Sequence, residues 1–308
     1  MTEFCKNIFD NFQVRKTTKQ KDAFINLIKS KYTVTIEKGG LGKNKNIIFG
    51  DISKANVIIT AHYDTCAVLP FPNFIAPRNL LLSFGYQFLL VIAIFVIAGI
   101  IPAIITPFFN SPSPEVVLIL DLIPSVVLFT LLILLFAGKP NKHTANDNTS
   151  GVITVLETIE ALNEEQKENV AFVLFDNEEN GLLGSAFFKS KHKKELKNKL
   201  VINLDCVSDG DTIMVIKNKN ARKNFGAPLE ESFQSSNEKN ILNANAAVTF
   251  YPSDQIWFKS NVAICSVKKK PLLGYHIDRI HTKYDTKFDE KNIEFIRECL
   301  IQFVMRNA

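Results

Sequence analysis

Two long apolar runs constrain this chain before any other feature does. No charged residue occurs from Asn79 to Asn110, and only Asp121 is charged between Val116 and Gly138. A helix needs about 20 apolar residues to cross a bilayer, and either run is long enough. Asn110-Ser111-Pro112-Ser113-Pro114-Glu115 between them reads as a tight polar turn. The expectation is a membrane-spanning helical hairpin over residues 70–139, inserted into a discontinuous domain of residues 1–69 and 140–308. The rival reading, a hydrophobic lid or dimerisation arm on a soluble domain, would expose a larger apolar patch than soluble monomers carry. Asp121 follows Glu115 closely and reads as interfacial rather than deep in the bilayer.

Outside the runs the composition is ordinary. Hydrophobic residues at 46% and charged residues at 22% exclude a mainly disordered chain. A net charge of +5 excludes a polyanion-coating protein on bulk charge, and neither Lys189–Lys199 nor Lys268-Lys269-Lys270 comes with a nucleic-acid motif. The first of these runs reads as a solvated helix face or as a contact for anionic headgroups. Cys5, Cys66, Cys206, Cys265 and Cys299 are odd in number, match no zinc-finger spacing, and read as free thiols in a reducing compartment. The N-terminus, Met-Thr-Glu-Phe-Cys-Lys-Asn, carries no apolar signal-peptide core. Arg78, Lys139 and Lys142 flank the apolar runs, whereas the turn between them carries only Glu115. The positive-inside rule then puts the globular domain in the cytoplasm, with two spans and the turn outside.

The globular part alternates strands with helices. Helical periodicity covers Asp22–Lys31, Ser150–Leu162, a segment from about Leu182, and a C-terminal stretch marked by Ile293, Ile296, Leu300 and Val304. Tyr32–Glu37 and Asn46–Phe49 read as a hairpin around a glycine-rich turn. Val57–Ala61, Val170–Phe175, Leu200–Leu204 and Val262–Val267 are continuous apolar runs, as buried parallel strands are. This pattern predicts a three-layer α/β/α domain with a mixed, largely parallel sheet.

Three of those strands stop at a metal-ligand residue type: His62, the pair Glu178-Glu179, and Asp205. Ligands gather at the carboxyl ends of strands in open α/β sheets, so these side chains are expected on one rim. Asp147, just before the Ser150 helix, can reach the same rim. Imidazole with carboxylate suits zinc. Several carboxylates packed together resist ionisation unless a dication, or two, lies among them.

Five segments carry a resemblance. Ala61-His62-Tyr63-Asp64-Thr65, Asn146-Asp147-Asn148-Thr149-Ser150-Gly151, Phe175-Asp176-Asn177-Glu178-Glu179-Asn180-Gly181-Leu182-Leu183-Gly184-Ser185, Asn203-Leu204-Asp205 and Ile280-His281-Thr282-Lys283-Tyr284-Asp285-Thr286 occur in this order. Together they resemble the co-catalytic zinc exopeptidases typified by bacterial leucyl aminopeptidase, metallopeptidase family 28. The resemblance covers about residues 20–69 and 140–308. It implies the zinc-exopeptidase fold and a pair of Zn2+ ions. His62 and Asp205 would bind one ion, Glu179 and His281 the other, and Asp147 would bridge both. Glu178 would be the general base, acting on a metal-bridged hydroxide, and Asp64 would orient His62 by accepting its other ring N–H. The substrate would be a peptide, cleaved at its end, most simply as an aminopeptidase. The chain departs from the family at Ser253-Asp254-Gln255, where such peptidases commonly carry Ser-Asp-His, which touches the substrate pocket rather than the ligands. Tyr251 is the candidate oxyanion donor, and Trp257 and Phe258 are expected in the core. Two other readings stay open: a single-zinc glutaminyl cyclase on the same fold, and a catalytically silent membrane adaptor. The preferred terminal residue and the oligomeric state are not legible.

Overall fold

A computed structural model describes residues 1–108 and 113–307. The polar turn expected at Asn110–Glu115 lies partly outside them. The centre of the sheet is parallel. β5 (Val170–Phe175), β3 (Val57–His62), β6 (Leu200–Leu204) and β9 (Ser260–Lys270) lie side by side in that order. The margins are antiparallel. The hairpin of β1 (Thr35–Gly39) and β2 (Asn44–Phe49) adds to β5. The far half of β9 pairs with β10 (Gly274–Asp278), and β10 carries the two-residue strand β4 (Phe74–Ile75) at its edge. β7 (Thr212–Lys217) pairs antiparallel with β9 and parallel with β8 (Asn240–Asn245). Ten strands thus make a mixed sheet.

The continuous apolar strands are buried on both faces because helices cover both. Val57, Ile59 and Ala61 of β3 pack with Val155 and Leu156 of α5 (Gly151–Ala161) and Ile296 and Leu300 of α9 (Glu290–Asn307). The same layer holds α1 (Glu3–Asn11), α2 (Thr18–Lys31) and α8 (Lys219–Ser232). On the other face Ile58, Val173, Phe175 and Val201 meet Phe188 of α7 (Leu183–Lys191) and Phe258. The expected three-layer α/β/α architecture is what the chain adopts. A short helix α6 (Glu164–Glu168) precedes β5.

Some element ends differ from the sequence pattern. α2 starts four residues before the periodic stretch because Thr17 and Gln20 form a reciprocal capping box. Tyr32 does not open a strand. Its N–H closes the last turn of α2 on the Ile28 carbonyl, and its ring packs edge-on against Phe4 and Phe49. Phe258 is in the core as expected, but Trp257 is 41% exposed. It ends a short 3-10 turn, Asp254–Trp257, that buries Asp254 and Gln255 instead.

The two apolar runs form α3 (Leu80–Ile105) and α4 (Pro114–Ala137), which pack against each other. Both are long and apolar enough to span a membrane. Their large side chains point outward: Phe88, Val96, Leu118 and Phe129 are each more than half exposed. The stems of the insert are tied to the domain. Ala67 and Pro140 form an antiparallel bridge, and the Val68 N–H bonds the Lys139 carbonyl at 2.9 Å.

Candidate metal centre

The parallel strands deliver their last residues to one rim. His62 ends β3, Asp205 follows β6, and the Glu178-Glu179 turn follows β5. Asp147 comes from the irregular segment ahead of α5, where Asp147 and Asn148 leave helical geometry. That helix presses on the end of β6 so closely that a Cβ at Gly151 would lie 2.5 Å from the Leu204 carbonyl oxygen. His281 arrives from the loop after β10. Asn177, Cys206 and His281 all hold positive φ angles, 56°, 55° and 58°. Left-handed backbone at non-glycine residues is costly, and it clusters here beside the converging side chains.

All five expected ligand residues and Glu178 meet in this space. His62 Nε2 lies 3.4 Å from Asp147 Oδ1 and 3.6 Å from Asp205 Oδ1. His281 Nε2 lies 3.0 Å from Asp147 Oδ2 and 3.3 Å from Glu179 Oε2. The Asp147 carboxylate therefore offers one oxygen to each imidazole, and each imidazole faces one further carboxylate. Glu178 groups with His62 and Asp205, their donor atoms all within 4.8 Å of one another.

Asp64 does not act quite as the pattern suggested. His62 Nδ1 is 3.1 Å from the Asp64 main-chain oxygen and 3.7 Å from its carboxylate. The carboxylate instead accepts the N–H groups of Glu178 and Glu179 at 3.0 and 3.2 Å. Asp64 thus fixes the ring through its carbonyl and the paired glutamates through its side chain. The Tyr251 hydroxyl, the expected oxyanion donor, lines the cavity but donates to the Asp205 carbonyl at 3.2 Å.

Supporting residues to which the sequence pattern assigned no role complete the arrangement. The Asp285 carboxylate accepts the N–H groups of Asn146 and Asp147 at 2.9 and 3.0 Å. Asn148 bonds the Leu204 carbonyl at 2.9 Å. Arg15, fully buried, donates to the carbonyls of Tyr63 and Phe12 and to Thr149 Oγ1. It ties the His62 and Asp147 loops together from beneath. Gln255, where the family pattern has histidine, accepts from Asn203 Nδ2 at 3.2 Å and donates to the Tyr251 carbonyl at 2.6 Å. Cys66 and Cys206 sit against the cluster, Cys66 with Glu179 and His281, and Cys206 with Asp147 and Asp205.

Burial raises the acids here. The Glu178 carboxyl is held well above its ordinary range, Glu179 is pushed to about 8, Asp254 to about 7 and Asp285 to about 8. Asp147 goes the other way: burial would raise it, but the flanking imidazoles of His281 and His62 hold it low. Glu179 Oε1 and Asp205 Oδ1 are buried without a hydrogen-bond donor. Carboxylates that face imidazole nitrogens and keep a buried oxygen without a donor are what a divalent cation would satisfy, so the residues fit zinc. The cluster opens into a cavity of about 320 Å3. A larger cavity of about 690 Å3 shares Asn73 and Phe74 with it but holds none of the clustered acids or imidazoles.

Residues 133–303 match the model of peptidase family M28. The search of curated proteins finds no match. Among solved structures, the Legionella pneumophila LapA aminopeptidase is similar with a TM-score of 0.57 at 13% identity, over 99% of this chain and 68% of that one. LapB from the same organism gives 0.55 at 13% identity, over 99% and 70%. Porphyromonas gingivalis glutaminyl cyclase gives 0.58 at 15% identity, over 99% and 96%. At these identities the likeness is one of fold.

Proposed function

This chain belongs to peptidase family M28, and on that premise we propose that it is a membrane-anchored two-zinc aminopeptidase. One observation carries the proposal: Asp147 presents its two oxygens to two imidazoles, each facing a carboxylate of its own. That is a pair of half-sites sharing one bridge. His62 with Asp205 would hold one zinc, Glu179 with His281 the other, and Asp147 both. A single-zinc cyclase has no use for the second half-site.

Bound zinc supplies Lewis-acid polarisation of the scissile carbonyl and acidifies the attacking water. The chain's own residues do the rest. Glu178, its carboxylate raised by burial, takes the proton from the attacking water and returns it to the leaving amine. Asp64 holds the Glu178 N–H and the His62 ring in fixed relation, so base and ligand keep their spacing. The hairpin of α3 and α4 anchors the domain, and the cations Arg78, Lys139 and Lys142 at its stems favour a cytoplasmic peptidase domain.

The test is a peptide panel with zinc-loaded protein in detergent. Peptides with a free amino terminus should lose their first residue, and blocked ones should not. Glu178→Gln should keep its zinc and lose about 10²–10⁴ in kcat, whereas His281→Ala should lose zinc. Conversion of an N-terminal glutaminyl peptide to a cyclised product without cleavage would establish the cyclase reading. No turnover by either the parent or Glu178→Gln would leave an adaptor.

A further inference from the structure

The hairpin does more than adjoin the site. Ser83, Phe84 and Gln87 of α3 line the same cavity as His62, Asp147 and Glu178. The root of α3 is fixed in place there. Ser83 Oγ exchanges hydrogen bonds with the main chain of Ala76, at 2.9 and 3.1 Å. The Phe250 N–H bonds the Pro77 carbonyl at 2.8 Å, and the Phe84 and Phe250 rings meet at 5.4 Å. Tyr86 packs its ring at a tilt against Phe74, centroids 4.5 Å apart, and donates its hydroxyl to the Pro72 carbonyl.

The sequence of α3 shows the same allegiance. Its only polar side chains among 26 residues are Ser83, Tyr86 and Gln87. Their spacing puts them on one face, and Ser83 and Gln87 of that face line the catalytic cavity. The helix is about 39 Å long against a hydrocarbon core of about 30 Å, so roughly six residues lie outside the lipid. The polar residues identify the amino-terminal end as the part that stays out. Phe84 then sits at headgroup level, with the cavity beside it.

We propose that the first two turns of α3 are a wall of the substrate site. Phe84, backed by Phe250, contacts the terminal portion of the peptide, so the substrates are polypeptide ends presented at the bilayer surface. This deepens the peptidase reading and rests on it for the identity of the substrate.

The experiment uses the full chain, zinc-loaded, in lipid nanodiscs, with steady-state kinetics and equilibrium binding of a fluorescent free-amine peptide in the Glu178→Gln background. Phe84→Ala should raise KM and weaken binding by about tenfold, as expected for one lost apolar contact, with kcat within about twofold. Phe84→Leu should recover most of this. Leu81→Ala, on the same turn but 87% exposed and away from the cavity, should change neither quantity. Unchanged KM and binding in Phe84→Ala overturn the wall, as does a fall in kcat alone, the signature of a distorted site. A parent that binds the peptide, loosened by Phe84→Ala, yet cleaves nothing retains the wall and refutes the peptidase reading. A parent that neither binds nor cleaves refutes both.

Discussion

Arg15 shows how the site depends on a residue that carries none of its chemistry. Its guanidinium is fully buried and reaches the Tyr63 carbonyl and Thr149 Oγ1 beside His62 and Asp147, and the Phe12 carbonyl at the end of α1. Removing the fork orphans the two carbonyls at about 1–3 kcal/mol each, whereas Thr149 Oγ1 keeps Thr144. Arg15→Met should therefore destabilise the domain by about 2–6 kcal/mol. Arg15→Lys should recover only part, because a point charge cannot bond in a fork. Denaturant unfolding in detergent measures this, and a change below about 0.5 kcal/mol for Arg15→Met would disprove the role. Nothing in Gln13-Val14-Arg15-Lys16 announces such a residue, since its burial is created by loops distant in sequence. His62, Glu178-Glu179 and Asp205 were legible because each follows a continuous apolar strand. Asp285 sat inside a recognised segment, but its hold on two main-chain amides exists only in the folded loops. Cys66 and Cys206 read only as free thiols, because their place beside the cluster likewise exists only in the fold.

At the scale of elements, the central strands could be read because both faces are buried, and the margins could not. β4 has two residues and exists only through its pairing with β10. Half-exposed, asparagine-rich β8 carries no strand periodicity of its own. The hairpin could be read from composition, but its contribution to the cavity wall lay in Ser83, Phe84 and Gln87, which no motif singled out. Its stems make an excision experiment possible. The bridge between Ala67 and Pro140 and the bond from Val68 to Lys139 bring the flanks side by side before the spans begin. Deleting residues 70–138 and joining the ends with a short Gly-Ser linker should yield a water-soluble domain whose circular dichroism keeps the α/β signature. Aggregation or loss of cooperative unfolding would show instead that the spans are part of the folding unit. Since β4 and the α3 wall go with the excised segment, the soluble domain should retain zinc but bind peptide more weakly.

The whole molecule has two ends, set by the direction of the parallel strands. The hairpin roots beside the carboxyl-end rim, and the lysine-rich stretch Lys189–Lys199 runs the other way. It follows α7 back to the amino end of β6, where Lys199 Nζ bonds the Ser53 carbonyl at 3.0 Å. A strand length of about 16 Å separates it from the rim. These lysines therefore lie away from the root of the hairpin, and the charges that bear on the proposed orientation are those at the stems. On our proposal Arg78, Lys139 and Lys142 against Glu115 would place the domain in the cytoplasm. Cysteine labelling tests this cleanly, because all five native cysteines are buried. In intact cells an impermeant maleimide should modify Ser113→Cys, at the turn side of α4. It should reach Lys142→Cys, exposed at the domain side, only after permeabilisation. The reverse pattern would put the metal rim outside. With the expected pattern, the cavity beside Phe84 opens to the inner face of the membrane, so substrates must come from polypeptide ends on that side.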